Sequence, residues 1–177
     1  YMNIEQWNTF SDASKVLDDI MDKNPKFFIH NKVDVQIYFI ECARKYLSFR
    51  SDEIASLGLY AAEKYVKGEL DWESFHEHSY TLEGAAFGVE RNAFGTPEIP
   101  EVKDADYLLD LQAVENFQGI NHEKAKRFIT NLAYFISSVM DYSYCSDNGL
   151  PSNDYPGFIC ADLLRKRFTF QQVIASE

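Results

Sequence analysis

Apolar residues recur along this chain at three- and four-residue spacing, and that rhythm predicts helices nearly throughout. Val16, Leu17, Ile20 and Met21 form the first stripe, on a short helix over 11–23 that Ser11 caps and Pro25 ends. Asn31 opens a longer helix to about Arg50. Its expected core face is Val33, Ile37, Ile40 and Leu47, thickened by Tyr38, Phe39 and Tyr46. Arg44, Lys45 and Arg50 lie near its C-terminus, where positive charge suits the helix dipole. Ser51 caps the next helix, with Asp52 and Glu53 in its first turn and Ile54, Leu57, Ala61 and Tyr65 turned inward. Gly68 stops it in the left-handed position that a C-terminal glycine takes.

Asp71 caps the following helix, whose inward stripe is Phe75, Ser79, Leu82, Ala86 and Val89. Gly84, Ala85 and Gly88 thin one part of it, which predicts close approach of a neighbouring helix there. Residues 92–103 carry Gly95, Pro97 and Pro100 with no apolar period and read as an exposed loop. Asp104 caps a helix to about Phe117, with Tyr107, Leu108, Leu111 and Val114 inward, and Gly119 closes it. Asn121 opens a long helix to about Tyr144. Its apolar residues from Ala125 to Val139 cover the widest arc in the chain, so it is expected at the centre of the core. A loop over 146–157 leads to a last helix that ends at Val173.

Those are seven helices and no convincing strand; 27–29 is the one short segment that reads equally as extended. Short links favour antiparallel neighbours. The expectation is an all-α, single-domain bundle over 2–177 of about seven mostly antiparallel helices. The pairs 31–50/51–68 and 104–119/121–145 also admit a solenoid-like stack. Tyr1 reads as an addition in front of Met2.

Composition changes this picture little. With 177 residues, 46% of them hydrophobic, the chain can bury a real core, and disorder is excluded. It has no apolar run of membrane-spanning length and no secretory leader pattern. Cys42, Cys145 and Cys160 are odd in number and lack CxxC spacing, which predicts free thiols in a reducing compartment. A cytoplasmic location follows as the expectation.

Charge changes the picture more. Residues 51–120 hold fifteen acidic residues against Lys64, Lys67, Arg91 and Lys103, while the segments on either side are balanced. The whole net charge of −11 therefore sits in the middle of the chain. Charge gathered in one segment builds a directional field, and this one points to a cationic partner. Direct binding of nucleic acid is not expected, because the basic clusters at 124–127 and 165–167 are small.

The stretch 72–78 is the one that invites a metal. Glu73 and His76 share a helix face, but a di-iron bundle needs a second Glu-x-x-His unit and two more glutamates. His76 and His78 are two apart, which a zincin helix does not allow. No cofactor and no metal is expected. There is no phosphate loop, nucleophile elbow or dinucleotide fingerprint, and an enzyme is not the expected reading. The alternative retained is an all-α metal-dependent enzyme using Glu73 and His76.

The candidate partner-binding residues are acids that border two linkers and the helix starts beside them: Glu69, Asp71, Glu73, Glu77, Glu98, Glu101, Asp104 and Asp106. Trp72 and Tyr80 are interleaved among them, and aromatic residues anchor interfaces. Capping and solubility alone explain several of these acids one by one, but not the concentration of charge.

The helix from Asp52-Glu53 to Gly68 carries Ala61-Ala62-Glu63-Lys64-Tyr65 and closes on Gly68-Glu69-Leu70; a helix through Gly84-Ala85-Ala86 follows. Together they resemble the helical pairs of small all-α immunity proteins from bacterial polymorphic-toxin and contact-dependent growth inhibition systems. The resemblance covers about residues 33–93 and rests on helix-packing and helix-ending residues. It implies a cytoplasmic inhibitor that binds one cognate toxin domain, often a nuclease, and blocks its active site. No binding residue is carried over from it.

Overall fold

Helix starts are set by side chains that accept from otherwise unpaired backbone N–H groups. In the computed structural model, which describes residues 2–50, 53–95, 105–144 and 149–174 (over 105–110 the backbone alone), such caps open several elements. Asn3 and Gln6 form a reciprocal box, each bond 2.8 Å, that starts α1 (Ile4–Thr9). Asp12, not Ser11, caps α2 (Ala13–Lys23), accepting from the Lys15 amide. Val16, Leu17 and Ile20 are buried as the stripe requires. Pro25 then leads into α3 (Lys26–His30), so the 27–29 segment is helical.

The long helix expected to reach Arg50 is shorter. α4 (Lys32–Arg44) gives way to a 3-10 turn over Leu47–Phe49. Aromatic packing accounts for the break. Tyr46 meets Phe158 edge-on at 5.2 Å, and Phe49 meets Phe128 at 5.8 Å, which a continuing helix would carry away from each other. α4 is also buried on more than the expected face: Val35 to Ile40, Cys42 and Ala43 are all covered, while Val33 is exposed. Two buried polar groups there are satisfied across the fold. Gln36 Nε2 donates to the Ser143 carbonyl at 2.8 Å, and Tyr38 Oη to the Cys160 carbonyl at 3.0 Å. Burial pushes the Tyr38 hydroxyl far up, so it remains a donor.

α5 (Glu53–Val66) turns a face to the core that matches the expected one only in part, with Ala61 buried and Tyr65 half-buried against the core as expected. Ala55, Gly58, Leu59, Ala61 and Ala62 are buried, while Ile54 and Leu57 are exposed. The reason is close packing. A Cβ at Gly58 would lie 3.0 Å from Leu82 Cδ2, so the small side of α5 is what admits its neighbour. Gly68, at φ +74°, ends the helix as predicted, and the Glu69 N–H reaches back to the Lys64 carbonyl at 2.8 Å. The caps assigned to Ser51 and Asp104, the Asp52 position and the inward Tyr107 and Leu108 lie outside the described residues or side chains.

α6 (Trp72–Phe94) starts where Asp71 accepts from the Ser74 amide at 2.8 Å. Phe75, Leu82, Ala86 and Ala93 are its buried stripe. The predicted close approach at Gly84 and Gly88 does not occur: a Cβ at either would meet nothing within 4 Å. α7 (Ala105–Gln118) ends at Gly119 and is followed by α8 (His122–Tyr144), which packs on α4, α5, α6 and α7 and is buried along its length. A 3-10 turn over Pro156–Phe158 precedes α9 (Ala161–Arg167) and α10 (Phe170–Ile174). These two replace the single last helix that was expected. Phe168 is extended and buried on Phe27 at 5.0 Å, and Thr169 recaps the chain through Gln172.

The described residues thus hold ten α-helices rather than about seven, and no strand. The three additional ones are α1, α3 and α10, all of six residues or fewer. Arg167 ties the last part of the fold to α4 through Asp34 at 3.0 Å and Glu41 at 2.8 Å.

Candidate partner-binding surface

The turn 69–71 and the exposed side of α6 bring six of the candidate residues into one strip. Glu69 is exposed and pairs with Lys64 across the end of α5. Asp71 spends its carboxylate on the helix cap, and the bond from the Ser74 amide holds its carboxyl below the usual range. Glu73 and Glu77 follow one turn apart, exposed, with no ion pair among the described residues. Tyr80 stands out on the next turn at 73% exposure.

Trp72 is 38% exposed and held by a stack of rings from three helices. Its indole lies 4.2 Å from the Tyr144 ring at 28°, and 4.9 Å from the His76 ring at 29°. Beneath it Tyr65 and Phe75 stack at 4.3 Å. The indole is therefore preorganised: its orientation is fixed before any partner arrives, so binding loses little rotamer entropy. Sequence reading missed His76 and Tyr144 as supports. The four-residue step from Trp72 to His76 was a usable signal. Nothing local pointed to Tyr144, at the far end of α8.

Glu98, Glu101 and Asp104 lie outside the described residues. Asp106 is in the first turn of α7, where only the backbone is described. The union of both linkers in one surface is therefore described only for its 69–80 side.

Further along α6, Glu90 accepts from Tyr134 Oη, and Phe87 meets the Tyr134 ring edge-on at 5.8 Å. Between these regions the Asp141 carboxyl is pushed up, first by desolvation and then by the Glu83 carboxylate opposite. On the neighbouring helices Glu63 links Arg44 at 2.5 Å and Lys67 at 2.6 Å. Lys67 is thus neutralised by Glu63 and Lys64 by Glu69, so the negative field of the 69–80 strip rests on Asp71, Glu73 and Glu77.

His76 is occupied with the indole, and among the described residues no group of three or more His, Cys, Asp or Glu side chains is placed to hold a metal ion. Cys42 and Cys160 are free and buried against each other's helices, and Cys145 lies outside the described residues. Burial pushes the Cys42 thiol up, while hydrogen bonding from Cys42 and the charge of Lys45 draw the Cys160 thiol down. No helix among the described residues is long and apolar enough to cross a membrane. No protein-family model, curated protein or solved structure matches the chain.

Proposed function

We propose that this chain is an immunity-type binding protein of the bacterial cytoplasm, which neutralises a basic toxin domain of the nuclease class by covering its active site. One observation carries the reading: a preorganised, part-exposed Trp72 opens a helix whose exposed residues include Glu73, Glu77 and Tyr80, with Glu69 and Asp71 in the turn before it. The chemistry suits a cationic cleft. Carboxylates on one helix face offer anionic oxygens where a nuclease would hold phosphate. The indole supplies the apolar anchor that charge alone lacks. The field steers the encounter, with association toward roughly 10⁸ M⁻¹s⁻¹ at low salt, and the buried ring slows release.

The test is binding and inhibition of basic nuclease domains, starting with the product of the adjacent gene, at low and high salt. Trp72→Ala is expected to raise the Kd by about 30-fold or more, chiefly through faster release. The pair Glu73→Lys, Glu77→Lys is expected to lower the association rate about tenfold at low salt, and much less at high salt. Tight inhibition indifferent to all three substitutions would place the interface elsewhere. Failure of any basic domain to bind would end the reading.

A further inference from the structure

α6 carries a second seam besides the one it buries. Glu73, Tyr80, Phe87 and Phe94 repeat at seven-residue steps, and Glu77, Gly84 and Arg91 repeat at seven between them. Alternating three- and four-residue steps are the spacing that two helices use to face each other. All seven of these positions are exposed, with Tyr80 at 73%, Phe87 at 56% and Phe94 at 47%. Three large rings in line on the solvent side of one helix are a surface that a partner covers.

We infer that this seam pairs with the same seam of a second copy, the two α6 helices running antiparallel and crossing close to Gly84. Self-complementarity argues for a second copy over any other occupant. Glu77 and Arg91 are each seven residues, about 10.5 Å along the axis, from Gly84. An antiparallel crossing there brings Glu77 of each chain to Arg91 of the other, twice by symmetry. A parallel crossing would set like charges together. Neither side chain has an ion pair among the described residues of its own chain, so both are free to form one.

Shape agrees with charge. Gly84, Phe87, Gly88, Arg91 and Phe94 line an open groove of about 550 Å³. A Cβ at Gly84 or Gly88 would meet nothing within 4 Å, so the groove floor is bare backbone with room for an incoming ring. In the register that pairs Glu77 with Arg91, each Tyr80 lies level with the Gly88 of the other copy, and the two Gly84 backbones meet at the crossing. The glycines that α6 does not need for its own core are thereby used, and the ring-into-gap arrangement recurs on both sides of the axis. Glu77 and Tyr80 also belong to the acidic strip, so self-pairing withdraws part of that strip from other partners.

Sedimentation equilibrium of the full chain alone, from micromolar to several hundred micromolar, tests the inference without any toxin. A monomer–dimer equilibrium is expected. Glu77→Arg and Arg91→Glu singly are each expected to weaken it at least about tenfold, and the double exchange to restore it to within about threefold of the parent. Circular dichroism of each variant checks that α6 still folds, and Lys124→Glu on α8 serves as a charge-change control off the seam. A monomer at every concentration would overturn the inference. So would a dimer that ignores both single reversals, or a double exchange no better than the singles.

Discussion

The same substitution on two adjoining helices should have opposite effects, because the close approach of α5 and α6 is at Gly58 and not at Gly84. Replacing glycine by alanine inside a helix gains up to about 1 kcal/mol of propensity when the new methyl has room. At Gly84 it has room, since nothing lies within 4 Å of the added Cβ. Gly84→Ala is therefore expected to stabilise by about 0.5–1 kcal/mol, or ~1–4 °C in Tm for a chain of this size. At Gly58 the methyl would sit 3.0 Å from Leu82 Cδ2 and 3.6 Å from its Cδ1. Leu82 is 1% exposed and cannot swing into solvent. Overpacking of that kind costs about 1–3 kcal/mol, which exceeds the propensity gain. Gly58→Ala should then destabilise by about 0–2 kcal/mol, separating the two variants by about 1–3 kcal/mol.

Urea denaturation at low micromolar concentration, where self-pairing is minimal, measures both. A third variant isolates the cause. In a Leu82→Ala background the clash is gone, so Gly58→Ala should recover its propensity gain and the two changes should couple strongly. If Gly58→Ala stabilises as much as Gly84→Ala in the parent chain, the packing argument is wrong.

Three further outcomes follow from the ionic contacts. Arg167→Ala removes the bonds to Asp34 and Glu41 that hold the end of α9 to α4; a loss of about 1–2 kcal/mol in denaturant unfolding is expected after allowance for partial exposure. The Glu63 carboxyl is held below its ordinary value by Lys67 first and Arg44 next, so its stabilisation is present above the ordinary carboxyl pKa of 4.5 and lost as pH falls through the lowered folded value. Glu63→Gln should lower Tm at neutral pH, and the difference should close under acid. Asp141 has the opposite sign: its raised carboxyl favours the fold only below the ordinary 3.8 and opposes it once pH has risen through the folded value. Asp141→Asn should raise Tm near neutrality and lose that advantage at about pH 3; an equal gain at both pH values would refute the assignment.

Much of the helical layout was legible because its signals are local. Gly68 and Asp71 mark the end of α5 and the start of α6 with backbone and side-chain chemistry that needs no tertiary information. The buried stripe of α6 was legible for the same reason, through its period. α5 was misread in part because Ile54 to Val66 is apolar or small almost all round, so the period selects no face and close packing at Gly58 decided it. The short helices α1, α3 and α10 span too few turns for a period to register. In the candidate site, the run from Glu69 to Tyr80 was found because its residues are neighbours in the chain. Tyr144 was not, because its stacking on Trp72 depends on how α6 lies along α8.

The seating of Phe168 on Phe27 has a consequence for how the chain is made. Ribosomes add about 5–20 residues per second, so roughly 7–28 s separate the synthesis of these two rings. Through most of that interval α2, α3 and α4 have been synthesised, yet Phe27 lacks its cover by Phe168 and the buried face of α4 has no α8 or α9 to meet. The nascent N-terminal third therefore waits as a sticky, incomplete layer. Its apolar surface stays open to aggregation until α8 and α9 arrive, a hazard that the stability of the finished bundle does not measure.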